Sequence, residues 1–375
     1  MKSKVDILVI GGGVTGLGVA LETRARGLSV LLLDQGELGQ GTSANSLRII
    51  HGGLRYLQQL NLRRVRESAR EQARIIRGFS ELVVPLPCAM PLSKGGARSR
   101  LPMTIASLLY SVVTRGVGAE LSAVQVLNKD EAVRRVPALC DIAPQGAFVW
   151  HDALLLDHGK FIGVLSDALQ RQGGEVRANT RVARVVPEAG WTVVSEGGEE
   201  FSCSAVVNAA GPWIQSVVPR DAPREFGNLP AGWCEAINLE FDFALDPAVA
   251  IAGKSQSGRL LFSVPRGEGS ALGTWYYPLL TNHDARADTG PDENEIESFL
   301  GEAREVYRDS RFERGRVRRI DRGVLPMIRN SASGPVLYGR HLIRDWNGFI
   351  QLMSTKYTTF RLLGEEAVSA AAPYC

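Results

Sequence analysis

Long apolar runs are scarce in this 375-residue chain. The longest outside the candidate strands, residues 101–113, falls short of the roughly 20 residues a spanning helix requires and carries Thr104, Ser107 and Ser111, so it does not cross a membrane. Its flanking Arg98, Arg100 and Arg115 leave room for a helix lying on a membrane surface, although an ordinary buried helix is the preferred reading. Cysteine is equally thin. Cys88, Cys140, Cys203, Cys234 and Cys375 are scattered, odd in number and free of C-x-x-C spacing, which argues against a disulfide framework or a zinc site and for a reducing cytoplasm. No metal is expected. Charge of one sign is lacking too: 43 Lys and Arg against 40 Asp and Glu give a net charge of +3, without the basic excess of a nucleic-acid-binding protein. The basic flank Lys2 and Lys4 precedes an apolar run that glycines break at once, unlike a signal peptide.

What is present is a chain of 45% hydrophobic residues, enough for a substantial core in two or three domains of roughly 150 residues each. Its 40 glycines show no period and mark turns and close backbone approaches. Residues 5–10 read as an apolar strand, Gly11-Gly12-Gly13 as a turn, 14–26 as a helix stopped by Gly27, and 29–33 as a second strand closing at Asp34. That βαβ unit implies a parallel sheet covered on both faces. Residues 61–77 form a charged surface helix with one buried stripe, Leu62, Val65, Ala69, Ala73 and Ile76. Pro85, Pro87 and Pro91 break regular structure over 82–92 and suggest a crossing between domains. A helix over 161–172, strands over 175–186, 191–196 and 205–209, strand-like alternation over 235–278, a helix over 291–308 and a final strand and helix over 350–372 complete the pass. The fold class is therefore α/β. A Rossmann-like dinucleotide domain with a parallel sheet, residues 1–80, 151–215 and 325–375, is interleaved with an α+β substrate domain, residues 81–150 and 216–324, whose sheet is mostly antiparallel.

Gly11-x-Gly13-x-x-Gly16 between a strand and a helix is the strongest motif. A Cβ at those positions would obstruct the turn, the pyrophosphate or the helix–strand contact. The positive helix end favours a diphosphate, and Asp34, 18 residues after Gly16, is placed to accept hydrogen bonds from an adenosine ribose. NAD and FAD share this fingerprint. The hydroxyl-rich stretch Gly41-Thr42-Ser43-Ala44-Asn45-Ser46 is suited to wrapping a pyrophosphate, and Asn208-Ala209-Ala210-Gly211-Pro212-Trp213 follows an apolar strand as a tight turn, but either alone reads as a simple loop.

Together with Ile50-His51-Gly52-Gly53-Leu54-Arg55-Tyr56-Leu57 and Lys356-Tyr357-Thr358-Thr359-Phe360-Arg361, these segments resemble the D-amino-acid oxidase superfamily of flavoproteins, and within it the FAD-dependent glycerol-3-phosphate dehydrogenases, over nearly the whole chain. The resemblance implies FAD as cofactor, with Gly11, Gly13, Gly16, Thr42, Ser43, Ser46 and Arg48 along the dinucleotide and Asp34 on the ribose. It sets Val182 by the adenine, Gly211 on the cofactor side, and Lys356 with Thr358 near the isoalloxazine. Arg55 and Tyr56 would face the substrate. A lysine and a helix start suit the negative charge of reduced flavin. Oxidation of a hydroxy substrate also needs a group to take the hydroxyl proton, for which His51 is the candidate base, while the Arg55 guanidinium can hold an anion.

Three segments depart from that family on the side expected to face substrate or flavin. Gly323-Val324-Leu325-Pro326 has leucine where the family has a substrate-contacting arginine, a loss of roughly a few kcal/mol for a dianionic phosphate unless Arg322 or Arg329 substitutes. Gly273-Thr274-Trp275-Tyr276 adds bulk, and Ser354-Thr355 replaces a glycine pair. The family's C-terminal helical domain is not expected here, since the chain stops soon after the last helix. The function expected is an FAD-dependent oxidoreductase for a small polar hydroxy substrate, cytoplasmic or resting at the inner membrane face. The alternatives are an amine or amino-acid oxidase of the same superfamily and a non-catalytic FAD-binding protein. No local motif marks the electron acceptor.

Overall fold

A computed structural model describes residues 4–117, 124–279, 292–331 and 334–375. Among these residues the strands form two sheets, of eight and ten strands. In the first, Val5–Ile10 pairs in parallel with Val30–Leu33 on one side and with Glu200–Asn208 on the other, and Phe349–Met353 continues the parallel run beyond Asn208. Side chains alternate along a strand, and both faces are covered here. Ile7, Val9, Val30 and Leu32 pack on helices Val14–Ala25, His158–Arg171 and Phe360–Ala371, whereas Leu8, Ile10, Leu31 and Leu33 pack on Trp191, Val193 and Phe201. The expected βαβ unit and parallel sheet are present.

Helices Val14–Ala25 and Phe360–Ala371 cross backbone to backbone. A Cβ on Gly364 would lie 2.6 Å from the Gly18 carbonyl oxygen, and one on Gly18 would lie 2.7 Å from the Phe360 carbonyl oxygen. This crossing anchors the C-terminal helix, and with it the segment just before it, to the first helix of the chain.

The second sheet is built on the antiparallel strands Gly232–Phe241, Leu260–Arg266, Gly269–Pro278 and Val317–Ser331. Helix Glu293–Tyr307 lays Ile296, Phe299, Leu300 and Ala303 on one face of it against Ile237, Leu239 and Leu272. Sheet membership departs from the sequence boundaries in four strands: Ile49–Ile50, all of Val317–Ser331, Gly334–Leu337, and Ala147–Leu155, which runs through the expected break at 150, lie in this sheet.

Two local expectations are corrected. The proline-rich segment is the nine-residue strand Val83–Pro91, paired residue for residue with Ala147–Leu155. Pro85, Pro87 and Pro91 share parity, so their missing N–H groups all face one edge, and on the other side from Ala147–Leu155 the strand meets Ala250–Lys254 only at Cys88 and Ala89. Helix Arg100–Val113 is not an ordinary buried helix. Met103, Ser107 and Tyr110 face inward, while Leu101, Ile105, Leu108 and Val112 are 71%, 58%, 64% and 63% exposed.

The segment between Asp34 and Ile49 joins the two sheets. The Thr42 hydroxyl accepts from the Val324 N–H at 3.1 Å and donates to the Val324 carbonyl at 2.9 Å. The Asn45 side chain accepts from the Arg322 N–H at 3.1 Å, and its carbonyl accepts from the Asn238 amide at 3.2 Å. Arg266 donates to the Ser46 carbonyl at 2.9 Å.

Gly364→Ala should cost about 1–3 kcal/mol in urea unfolding, because overpacked backbones must separate. Gly163→Ala, in a helix with open space around the new methyl, should be neutral or stabilise by up to about 1 kcal/mol. Equal effects would contradict the close crossing.

Candidate active site

The three motif glycines have distinct tasks. Gly11 has φ +106°, and a Cβ on it would come within 2.5 Å of the Ala209 carbonyl oxygen, so the first turn packs directly on the turn that follows the strand Glu200–Asn208. A Cβ on Gly16 would sit 1.8 Å from the Gly11 carbonyl oxygen. Gly13 is different: a Cβ there meets only Ser43 Oγ, at 3.2 Å, and no backbone. Gly13 also caps helix Val14–Ala25 without a side-chain hydrogen bond, and no acidic residue stands in the first turn, so this helix end keeps its positive character for an anion. Ser43 reaches the same tip, its hydroxyl accepting from the Val14 N–H at 3.2 Å.

Asp34 accepts from the Gly12 N–H at 2.5 Å and the Gly36 N–H at 2.8 Å; burial pushes its pKa up against both bonds. Val182 lies in the apolar cluster that holds Leu33. Gly211, at φ +56°, opens a short turn pinned by Asn208, whose amide donates to the Ile214 carbonyl at 2.8 Å. The Ser46 hydroxyl accepts from the Arg48 N–H at 3.2 Å. Arg48 Nε is buried with no hydrogen-bond partner among the described residues, an orphan polar atom beside the same loop. The Thr42 hydroxyl, by contrast, is committed to Val324. A helix tip free of acidic residues, a half-buried carboxylate and an orphan guanidinium nitrogen fit an adenine dinucleotide.

The candidate reacting end is assembled from three distant segments. After the strand Ile49–Ile50, Gly52 and Gly53 are required by crowding: a Cβ on Gly52 would be 2.7 Å from both Gln72 Oε1 and the Tyr110 hydroxyl, and one on Gly53 (φ +87°) would be 2.7 Å from Ser68 Cβ. The His51 N–H donates to Thr358 Oγ1 at 3.0 Å, and the His51 ring meets Asp152 Oδ2 through Nδ1 at 3.0 Å. Lys356 Nζ stands 3.6 Å above the centre of the Tyr56 ring. Burial, then the charge of Arg55, lowers the Lys356 pKa to about 8. The structure thus brings His51, Arg55, Tyr56, Lys356 and Thr358 together. A relay ties them to the glycine turn: Tyr357 OH lies 3.1 Å from His158 Nδ1, His158 Nε2 lies 3.0 Å from the Gly39 carbonyl, and the Gly39 N–H donates to the Gly12 carbonyl at 3.0 Å. Burial lowers the His158 pKa, and as a neutral ring it can donate at Nε2 and accept at Nδ1.

The departures divide. Trp275 is in the second core, stacked on Phe299 at 5.3 Å, with its indole N–H donated to Glu295 at 2.6 Å, so its bulk is not on the substrate side. Its neighbour Tyr276 points the other way along the strand. Burial raises the Tyr276 phenol pKa, and Arg55 is close enough to lower it. Arg322 does not replace the missing cation at Leu325, because the buried Glu235 carboxylate engages both Nε and Nη2 of its guanidinium and also accepts from Tyr277 OH. Arg329 is exposed.

Asp152, Trp150 and Gln72 were not anticipated from sequence. The available signal was an acid set in the apolar run of Ala147–Leu155, between His151 and Ala153.

Fold and site together define a dinucleotide-binding oxidoreductase in which an antiparallel sheet adjoins a Rossmann-like domain. Residues 6–353 match the family described as FAD dependent oxidoreductase, and the chain belongs to that family. It is 30% identical over 406 aligned residues to mitochondrial glycerol-3-phosphate dehydrogenase of Mus musculus, covering 98% of this chain and 53% of the relative. The chain therefore spans about half the length of the curated relatives it matches. Among solved structures, glycerol-3-phosphate dehydrogenase of Bacillus halodurans in complex with FAD superposes with a TM-score of 0.72 at 20% identity, covering 99% of this chain and 65% of that one. The FAD-bound L-α-glycerophosphate oxidase of Mycoplasma pneumoniae gives 0.72 at 14% identity, covering 99% and 95%.

Lys356 carries a stability cost with a defined pH dependence. Its pKa is lower folded than unfolded, so between about 8 and 10.5 the unfolded chain binds more protons and stability rises with pH. Lys356→Met should stabilise FAD-free protein at pH 7, by about 3 kcal/mol at most, and flatten that rise. Destabilisation at pH 7, read by chemical denaturation, would contradict the burial cost.

Proposed function

We propose that this chain oxidises a small polar hydroxy compound of the glycerol phosphate type at the carbon bearing the hydroxyl. FAD, when bound, supplies the hydride acceptor. His51 takes the hydroxyl proton, Arg55 and Tyr56 orient the substrate, and Lys356 holds positive charge where reduction develops negative charge. Gly13, Ser43, Asp34 and Arg48 hold the dinucleotide. The observation that carries this reading is the meeting of His51 with Thr358 and of Tyr56 with Lys356, groups about 300 residues apart in sequence, at one end of a relay that begins on the glycine turn. With Arg322 neutralised by Glu235, anion binding falls to Arg55 and Lys356, so a dianionic phosphate has fewer cations than the sequence offers.

The test is anaerobic bleaching of the bound flavin by a panel of sn-glycerol 3-phosphate, glycerol, 2-hydroxy acids, glycine and proline. A hydroxy compound should bleach it, and Arg55→Met should raise the KM for anionic donors by roughly tenfold to a hundredfold. Bleaching by amino acids alone would replace this reading with an amine oxidase.

We also propose contact with an anionic membrane surface. The outward stripe of helix Arg100–Val113 is apolar at Leu101, Ile105, Leu108 and Val112, and Arg98, Arg100 and Arg115 flank it. No helix among the described residues is long and apolar enough to cross a membrane. Sedimentation with phosphatidylcholine vesicles should show binding only when phosphatidylserine is included, and Ile105→Asp with Leu108→Asp should abolish it. Unchanged sedimentation of the double variant would overturn the contact.

A further inference from the structure

We infer that Asp152 is the positioning residue for His51, holding its Nδ1–H so that Nε2 is the nitrogen presented to the substrate hydroxyl. The inference rests on the reading of His51 as proton acceptor. Asp152 sits on the strand Ala147–Leu155, beside the point where Ile50 leaves the sheet, since Ile50 pairs with Ala153. Its side chain is 5% exposed, and a carboxylate there is costly unless it is fully hydrogen-bonded. Four donors surround it. Oδ1 accepts from the Gly52 N–H at 2.7 Å and the Gln72 amide at 3.4 Å, and Oδ2 from the Trp150 indole at 3.2 Å and from His51 Nδ1 at 3.0 Å. Burial works to raise its pKa, but the His51 charge and hydrogen bond, followed by Gly52 and Trp150, overcome it and hold the group below the usual carboxylate range.

An ionised carboxylate has only lone pairs to offer, so the ring nitrogen facing it must carry the hydrogen. In a neutral imidazole the other nitrogen is then the base. The His51 side chain is 53% exposed although its Nδ1 edge is occupied by Asp152, which leaves the Nε2 edge for the open side. As the substrate O–H bond breaks the proton passes to Nε2, and FAD, when bound, would supply the acceptor for the hydride that leaves the C–H bond as the carbonyl forms. Asp152 offsets the charge of the imidazolium without touching substrate. The same carboxylate fixes the Gly52 turn through Oδ1, so backbone and ring are set by one group.

Asp152→Asn separates the two tasks. Its oxygen can still accept from Gly52, but its NH₂ faces Nδ1 as a donor and demands the opposite tautomer. In ¹⁵N-histidine-labelled, FAD-loaded protein, five histidines give few enough signals for His51→Gln to assign His51 by difference. Wild type should show His51 protonated on Nδ1, and Asp152→Asn on Nε2. With sn-glycerol 3-phosphate as donor, single-turnover flavin reduction should fall about 10²- to 10⁴-fold in Asp152→Asn. Added to His51→Gln, the same change should cost less than about threefold, because the two act as a unit.

A tautomer unchanged by Asp152→Asn, or an equal loss in the presence and absence of His51, overturns the positioning role and leaves a structural one. His51→Gln that reduces flavin as fast as wild type overturns the base reading itself, whichever tautomer Asp152 imposes.

Discussion

Helix Val14–Ala25 begins without a cap of its own, and the rest of the architecture is arranged around that tip. Gly11 and Gly16 let the strand, the turn and the helix approach to distances no side chain would tolerate. Gly13 leaves the tip clear, and the first turn carries no acid to repel an anion. Such a helix end carries partial positive charge, which favours a diphosphate or its equivalent lying against it.

From that point outward, each contact hands position to the next. Gly12 fixes Gly39, Gly39 fixes His158, and His158 fixes Tyr357, the residue between Lys356 and Thr358. Thr358 then holds the backbone of His51. On the other side, Thr42, Asn45 and Ser46 stitch the loop behind Ser43 to the antiparallel sheet. Residues 41–46 are therefore the joint between the two sheets. Glycines at 18 and 364 add a direct helix contact that places the Lys356 segment. The buried lysine is a local cost in this scheme, and the proposed role beside the flavin is what would offset it.

The parts legible from sequence were those governed by short-range periodicity or by glycine. The βαβ unit and the helices near 62–78 and 293–307 follow from such signals, whereas the placing of Tyr56 and Lys356 toward one site is only what the family resemblance implies. Prolines at 85, 87 and 91 misled, because their shared parity, harmless on one strand edge, shows only once partners are known. Trp275 misled because one residue's shift along a strand decides whether a ring enters the core or the site. Helix Arg100–Val113 has apolar residues on both faces, so its pattern does not announce which face is covered. Asp152 is invisible as a site residue until the strand carrying it is laid beside His51.

The most direct measurement is titration of FAD into cofactor-stripped protein, with visible absorbance as readout, for the wild type and for Gly13→Asp, which sets a negative charge at the helix tip. Wild type should turn yellow with a single equivalent bound, and the variant should lose at least about a hundredfold in affinity. Wild-type protein that stays colourless, or a variant that binds FAD as tightly, would contradict the claim that this helix end holds the diphosphate.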